Sequence, residues 1–597
     1  MPETLLMSGN EAIARGAWEA GCRFGAGYPG TPSSEILPAL TALGDCYTEW
    51  SVNEKCALEA ASGASLTGAR SIVTMKHVGL NVAADPFFTL SYTGVGGGLV
   101  VVSADDPAMH SSQNEQDNRQ YARAAKVPML EPCTAQEALE FTRLAFELSE
   151  QFDTPVLLRE TTRLSHGDGI VTVGERGVGS GPCAPEKQAE KYVMIPARAR
   201  QRRVVMAERT RKLREFSERT ELNRREPGDP AIGIISSGMA YEYAKEVRPD
   251  ASFLKLGFTW PLPERLIRGF AASVVKLYVI EELDLFLTEQ IRALGVTVEP
   301  LPESLQLGEL SPARVRAALQ GADALAEVDA SLPMRPPQLC AGCPHRGVFH
   351  ILRKLKLFVA GDIGCYTLGT LPPLLALDTC LCMGAGVGQV HGINQACGGK
   401  QRAVAVIGDS TFVHSGVAPL IDMVWNRSQA VLIILDNQTT AMTGHQPTAA
   451  SSATGSSADG TPEESAPLDL VRLCKAAGVK DVTVVDPYRL DRIFAALRQA
   501  LAGDRPSVII TNRPCGLLAT VQRQAPLAID ADLCQGCLQC AQLACPALVV
   551  EGEKGRIVQE LCRGCTLCSQ VCSFGAVALP RNAAADRRHP RGKKAGA

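Results

Sequence analysis

Over residues 1–170 the chain alternates short apolar runs with longer stretches in which apolar and polar positions recur at helical spacing. "SIVTMK" from Ser71, "GLVVVSADD" from Gly98 and "TPVLLRE" from Thr154 are brief and largely apolar. Runs of that length, bounded by Gly, Pro or Asp, predict buried strands. Between the first strands, "NEKCALEAASGASLTGA" from Asn53 predicts a helix. Strands alternating with helices imply a parallel sheet covered on both faces, so the class expected is α/β. The same alternation returns from Ala231, most clearly in "AIGIISSGMAYEYA" and "KLYVIEEL", and again across 338–520.

These blocks predict domains at 1–180, 231–330 and 331–525. Between the first two, at 181–230, the character changes. From Arg198 to Arg225 eleven Lys or Arg stand against four acidic residues. Aromatic residues do not alternate with these charges as nucleic-acid contact would require. The whole chain carries a net charge of −3, so a solvated linker or docking helix is the expectation. A 597-residue chain with 46% hydrophobic residues has the material for several buried cores. Its N-terminus, "MPETLLMSGNEA", lacks the basic start and apolar core of a signal peptide. No uncharged stretch suits a bilayer. A cytoplasmic protein with no nucleic-acid or membrane partner is expected. The basic segment 581–597 is expected to be disordered.

Cysteine spacing adds a different chemistry. Cys534, Cys537, Cys540 and Cys545 form one run, and Cys562, Cys565, Cys568 and Cys572 a second. Each opens with C-x₂-C-x₂-C, which wraps three thiolates around one four-iron cube; the fourth cysteine of each run then ligates the other cube. Zinc sites use paired hooks, and disulfides belong to oxidising compartments. Two [4Fe–4S] clusters are the expectation, in a small α+β domain at 526–580 that resembles a bacterial two-cluster ferredoxin. Four residues rather than three precede Cys545, and Ser573 stands where a proline is usual. The other thirteen cysteines show no framework spacing.

The third block carries "AVAVIGDSTFVHSGVAPLIDMVWNRSQAVLIILDNQTTAMTG". A strand ending at Ile407, a turn at Gly408, Asp409 and Ser410, a helix to about Trp425 and a second strand ending near Leu435 are predicted. Asp409 and Asn437 then sit beyond the carboxyl ends of parallel strands, where such sheets bind ligands. A carboxylate and an amide oxygen suit Mg²⁺, which would complete its shell from phosphate and water. A helix starting near Thr411 would point amide groups at the same anion. The polar stretch after it, 448–465, predicts a long surface loop or a flap.

The Gly-Asp-Ser turn followed by "DNQTTAMTGHQP" resembles the thiamine diphosphate motif of the 2-oxoacid:ferredoxin oxidoreductases. "CAGCPHRG" from Cys340, "GDIGCYTLG" from Gly361, "YPGTPSSE" from Tyr28 and "NEKCALEAASGA" from Asn53 are similar to motifs of that family, in the same order. The resemblance covers almost the whole chain. It implies thiamine diphosphate-type parallel-sheet domains at 1–180 and 331–525, with a transketolase C-terminal-like unit at 231–330.

The same resemblance implies roles. Asp409, Asn437 and the Thr439 carbonyl would hold Mg²⁺. Glu54 would be catalytic, hydrogen-bonded to the cofactor's pyrimidine ring; without the resemblance, Glu59 on the same helix could serve. Thr31, before Pro32, would contact substrate, or simply cap a helix. His77 would be a second substrate contact. Cys343, His345, Gly364 and Cys365 would pack against the cofactor with Gly408 and Ser410; a third metal site using Cys340 is the less favoured alternative.

The implied reaction is oxidative decarboxylation of aryl 2-oxoacids (indolepyruvate, phenylpyruvate, 4-hydroxyphenylpyruvate) with coenzyme A. Its products are an acyl-CoA and CO₂, with electrons passing through the clusters to ferredoxin. A small β subunit, in an α₂β₂ assembly, is the implied partner. The same chemistry on a branched-chain 2-oxoacid, pyruvate or 2-oxoglutarate is an alternative. So is non-oxidative decarboxylation, or a non-catalytic electron-transfer subunit.

Overall fold

The structure is a computed structural model. It describes residues 3–177, 185, 187–322, 337–398, 403–451, 453–456 and 462–580. The expected disordered tail at 581–597 and most of the stretch between the second and third blocks lie outside the described residues. The chain divides into two compact units, Met1–Leu332 and Pro333–Ala597.

The first unit is built on a seven-stranded sheet. Its order is Phe258–Trp260, Met129–Leu130, Val156–Thr161, Leu99–Asp105, Ser71–Lys76, Phe24–Gly27 and Tyr47–Trp50. Every pairing is parallel except that of Phe258–Trp260, which runs antiparallel at one edge. The predicted strands are present, and Leu99–Asp105 is buried along its whole length, as a strand covered on both faces requires. A four-stranded sheet, Lys276–Ile280, Asp229–Ser236, Ala251–Leu256 and Asn223–Glu226, follows. One apolar core joins the two sheets, with Met129 and Leu157 packed in the same cluster as Ile235, Leu254 and Phe286. The 231–330 segment therefore also supplies an edge strand to the larger sheet.

The basic stretch is the helix Pro196–Ser217, and it is docked rather than a solvated linker. Its own Met206 and Leu213 are buried. Arg209 donates to the carbonyl oxygens of Asp153 (2.7 Å) and Ser91, and Arg202 forms an ion pair with Asp153 at 3.0 Å. Further along the same segment, Asn223–Glu226 is an edge strand.

The second unit carries a five-stranded parallel sheet, ordered Phe358–Ala360, Ala403–Gly408, Val431–Asp436, Ser507–Asn512 and Asp481–Val485. After Gly408 the chain turns straight into helix: Asp409–Thr411, one wide turn at Phe412–Gly416, then Val417–Trp425. The helix thus starts two residues earlier than predicted.

The cysteine-rich stretch contains two short antiparallel pairs, Ala528–Ile529 with Val577–Ala578 and Leu548–Glu551 with Lys554–Ile557, and the helix Leu567–Val571. It does not form a compact unit of its own. Leu543 and Leu567 are buried in the core on one face of the five-stranded sheet.

The described start of the polar stretch after Gln446 is hydrogen-bonded. Thr448 and Ser451 are buried and satisfy each other's neighbourhood: Ser451 Oγ accepts from the Thr448 amide (2.9 Å) and Thr448 Oγ1 from the Ala450 amide (2.9 Å). Ala453–Ser456 and Pro462–Ser465 then pair antiparallel. Hydroxyls placed to replace water are what let the polar residues Thr448 and Ser451 be buried.

Candidate active site

Adjacent parallel strands Ala403–Gly408 and Val431–Asp436 end together, with Gly408 opposite Leu435. The residues just beyond them must therefore meet. Asp409, Asn437 and Thr439 are all buried. Gln438 takes a left-handed conformation (φ +61°), which folds the chain back so that its amide donates to Asp409 Oδ2 at 2.9 Å. The Asn437 amide ends 3.1 Å from Asp409 Oδ1 and 3.2 Å from the Thr439 carbonyl oxygen. With nitrogen inward it donates to both. With oxygen inward, three oxygens converge with no proton between them, a set that requires a cation. Ser410 closes the corner, its Oγ accepting from Thr440 Oγ1 at 2.9 Å.

Asp436, which the sequence reading did not single out, stands beside this group. Burial and then its charge push the Asp409 carboxyl up to about 8. Burial likewise raises Asp436, against a hydrogen bond from Asn512. Two buried carboxyl groups with raised affinity for protons are a ready seat for a divalent ion. The donor set fits Mg²⁺.

The segment Gly361–Gly369 lies over the same corner. Tyr366 is buried, and its ring fills the space that side chains at Gly364 and Gly408 would need: a Cβ there would stand 2.4 Å and 2.9 Å from Tyr366 Cε1. The His345 ring meets Tyr366 edge to face at 5.9 Å, and burial holds its imidazole neutral, down to about 4. Gly364, Gly408 and His345 are thus brought together around one aromatic ring. Asp362 was missed by sequence reasoning. It accepts from the amides of Gly384 (3.0 Å) and Gly386 (3.2 Å), and burial pushes its carboxyl up to about 7. Its position just after strand Phe358–Ala360, in a Gly-Asp turn like that of Asp409, was the available signal.

Cys343 and Cys365 lie in a wider thiol group. Burial pushes Cys343 up to about 12, with Cys340 and Cys365 adding to it. Burial, then Cys515 and Cys340, raise Cys365 to about 11. Cys515, 3.7 Å from His445 Nε2, comes from beyond strand Ser507–Asn512 and was not anticipated. Fully buried Arg346 ties this loop to the cysteine-rich stretch, donating to the carbonyls of Leu339 (2.7 Å), Cys340 (2.9 Å) and Leu543.

The eight patterned cysteines divide into two groups. Cys534, Cys537, Cys540 and Cys572 line one cavity, closed by Ile529 and Phe574. Burial and then Cys565, Cys545 and Cys562 push Cys568 up to about 12, which marks the second group of four. Each group takes three cysteines from one run and one from the other. Among the described residues no His, Cys, Asp or Glu side chains form a group for a single metal ion. A four-iron cube holds its ligands on separate corners and asks for no such convergence. The crossed grouping, three cysteines from one run and one from the other, is the ligand pattern of two interlocked cubes.

In the first unit, Glu54 opens the helix Glu54–Leu66, capped by Asn53 Oδ1, which accepts from the Cys56 amide at 2.9 Å. Glu54 is 4% exposed, whereas Glu59 is exposed and paired with Lys55. Gly79 makes room for Glu54, since a Cβ there would stand 2.6 Å from its Oε1. Thr31 is not a helix cap: residues 31–35 form turns and the helix begins at Ile36. His77 is fully buried, its Nε2 3.2 Å from the Asn114 carbonyl oxygen.

Comparison with known proteins agrees with this geometry. Residues 15–221 match the family described as pyruvate flavodoxin/ferredoxin oxidoreductase, thiamine diP-binding, and 362–511 match the thiamine pyrophosphate enzyme C-terminal TPP-binding domain. The chain is 41% identical to indolepyruvate oxidoreductase subunit IorA of Archaeoglobus fulgidus, over 96% of this chain and 97% of that one. Identity to the subunit of the same name is 42% in Methanothermobacter marburgensis (96% and 97% covered) and 39% in Pyrococcus abyssi (92% and 93%). Similarity of this extent, along nearly the full length of each relative, makes the chain a member of the thiamine diphosphate-dependent 2-oxoacid:ferredoxin oxidoreductases, in the family of indolepyruvate oxidoreductase subunit IorA.

Proposed function

We propose that this chain is the large, catalytic subunit of an enzyme that oxidatively decarboxylates aryl 2-oxoacids. The balance is one 2-oxoacid, one coenzyme A thiol and two oxidised ferredoxins giving one acyl-CoA, one CO₂, one proton and two reduced ferredoxins. The oxygen corner of Asp409, Asn437 and Thr439, in the same unit as two sets of four thiols, carries this reading. A binding scaffold has no use for that combination.

Asp409, Asn437 and the Thr439 carbonyl would hold Mg²⁺ against a diphosphate, with the amides at Gly408 to Ser410 facing the anion. Gly364, Cys343, His345 and Cys365 would wall the cofactor, and a neutral His345 would add no competing charge. Thiamine diphosphate, when bound, supplies a nucleophilic carbon and an electron sink for a keto acid. Glu54, buried and facing Gly79, would hold a proton at the cofactor's pyrimidine ring. Thr31 would contact substrate, while buried His77 would back that pocket through Asn114. Cys534, Cys537, Cys540 and Cys572 would hold one [4Fe–4S] cluster in a ferredoxin-like arrangement. Cys545, Cys562, Cys565 and Cys568 would hold the other.

The enzyme would work with a small β subunit, in an α₂β₂ assembly, in the cytoplasm. No described helix is long and apolar enough to cross a membrane. The names of the relatives, acting on indolepyruvate, support the aryl substrate class. Anaerobic cluster bleaching by a panel of 2-oxoacids, with coenzyme A and the β subunit, tests it. The three aryl pyruvates should give the highest kcat/KM; a preference for pyruvate or 2-oxoglutarate would overturn the substrate assignment.

A further inference from the structure

The interior strand Ser71–Lys76 of the seven-stranded sheet, between Leu99–Asp105 and Phe24–Gly27, ends in a lysine whose surroundings are unusual. In parallel sheets the carboxyl ends of the strands face the ligand. The Lys76 stem lies over Gly30: a Cβ at Gly30 would stand 3.0 Å from Lys76 Cγ and 3.1 Å from Cδ. Glycine at 30 therefore makes room for the lysine and sets it beside Thr31. Its Nζ donates to the Ser111 carbonyl at 3.0 Å, and Ser111 Oγ donates to the Thr31 carbonyl at 3.1 Å. Lys76, Ser111 and Thr31 form one connected group.

Among the described residues the ammonium has no carboxylate within ion-pair distance. Asp106, one of the two acids that influence it, is engaged elsewhere. It accepts from the Ser111 amide (2.8 Å), Ser112 Oγ (2.6 Å) and Thr162 Oγ1 (2.8 Å). The other, Glu54, lies against Gly79. Burial lowers the lysine to about 8, and Asp106 and Glu54 only partly restore it. A largely buried cation without a counter-ion is costly unless it meets an anion during function. An aryl 2-oxoacid brings one anionic group.

We propose that Lys76 is the cation that anchors the substrate carboxylate, with Thr31 beside it. This rests on the 2-oxoacid reading above and adds a specificity-determining residue to it. The arrangement explains why a lysine ends this strand. Lys76 binds and orients; the methylenes packed on Gly30 hold the ammonium at a set distance from Thr31.

The test uses the complete holoenzyme with its β subunit. K76Q should raise the KM for phenylpyruvate by about 10- to 100-fold, the usual weight of a charge-assisted hydrogen bond, with a smaller change in kcat. Competitive inhibition by 3-phenylpropionate should weaken similarly, while that by 3-phenylpropanamide, which has no charge to anchor, should stay level. Thiamine diphosphate content should match the wild type. Should K76Q misfold, K76R, which keeps charge and stem, is expected to retain the preference for acid over amide, and K76M to lose it. An unshifted KM with the acid-over-amide preference intact, or a loss confined to cofactor binding, would overturn the assignment. A wild-type enzyme inactive on every 2-oxoacid would instead overturn the functional reading, whatever the lysine does.

Discussion

Asp409 and Asp436 illustrate how much a single neighbour changes a residue. Both face the end of the same strand pair, and burial raises each carboxyl's affinity for protons. A divalent ion would relieve both at once, so D409A should lose thiamine diphosphate and Mg²⁺ on gel filtration while iron per chain stays near wild type. Stoichiometric thiamine diphosphate in that variant would contradict the site. A second buried carboxyl gives a pH prediction. Burial pushes Glu160, in strand Val156–Thr161, up to about 8. Its folded-state affinity for protons exceeds the unfolded one, so its contribution to stability is complete below about pH 4.3 and is lost as pH rises toward 8. E160Q, which cannot ionise, should flatten the decline in Tm between pH 5 and 8, by on the order of 2 kcal/mol of stability. An unchanged slope would mean that Glu160 is not protonated in the folded protein. Asp409, Asn437 and Thr439 were read from a motif; Asp436 and Asp362 stand inside quoted motifs, yet their part in the corner, like that of Cys515, was not read. What distinguishes these is depth and company, which local sequence does not carry.

At the scale of elements, the helix Pro196–Ser217 shows what charge leaves open. Its composition allows a solvated linker or a docking helix, and Arg209, 4% exposed and donating to two carbonyls of neighbouring elements, decides for docking. Removing that guanidinium would leave both oxygens buried without a donor. R209A should therefore cost roughly 2–3 kcal/mol, read as a lower denaturation midpoint. R209K, with one point charge in place of a planar fork, should recover only part of it. A variant as stable as wild type would show that this helix is not docked through Arg209. Strands such as Ser71–Lys76, Leu99–Asp105 and Val431–Asp436 were legible because burial leaves continuous apolar runs. Asn223–Glu226 was not, because an edge strand tolerates charge along its exposed side.

Across the whole molecule, electron chemistry and cofactor corner share the second unit, while Glu54, Thr31 and Lys76 belong to the first. The chain purified alone is expected to bind thiamine diphosphate and iron yet to reduce ferredoxin far more slowly than with the small subunit. Full activity without a partner would refute that dependence. Eight irons per chain are expected from two [4Fe–4S] clusters; twelve would assign the Cys340, Cys343, Cys365 and Cys515 group a cluster as well. By itself the sequence determined the α/β class, the strand-end positions of Asp409 and Asn437, and the grouping of the eight patterned cysteines. Each of these rests on short-range spacing, which survives translation into any fold. Only the tertiary structure decided which glutamate of one helix is buried and that a basic helix packs. It also decided that the cysteine-rich stretch shares a core with the sheet and that Lys76 meets Thr31 and Ser111. Those outcomes depend on residues tens to hundreds of positions apart being brought together, and on the loss of water that follows when they meet.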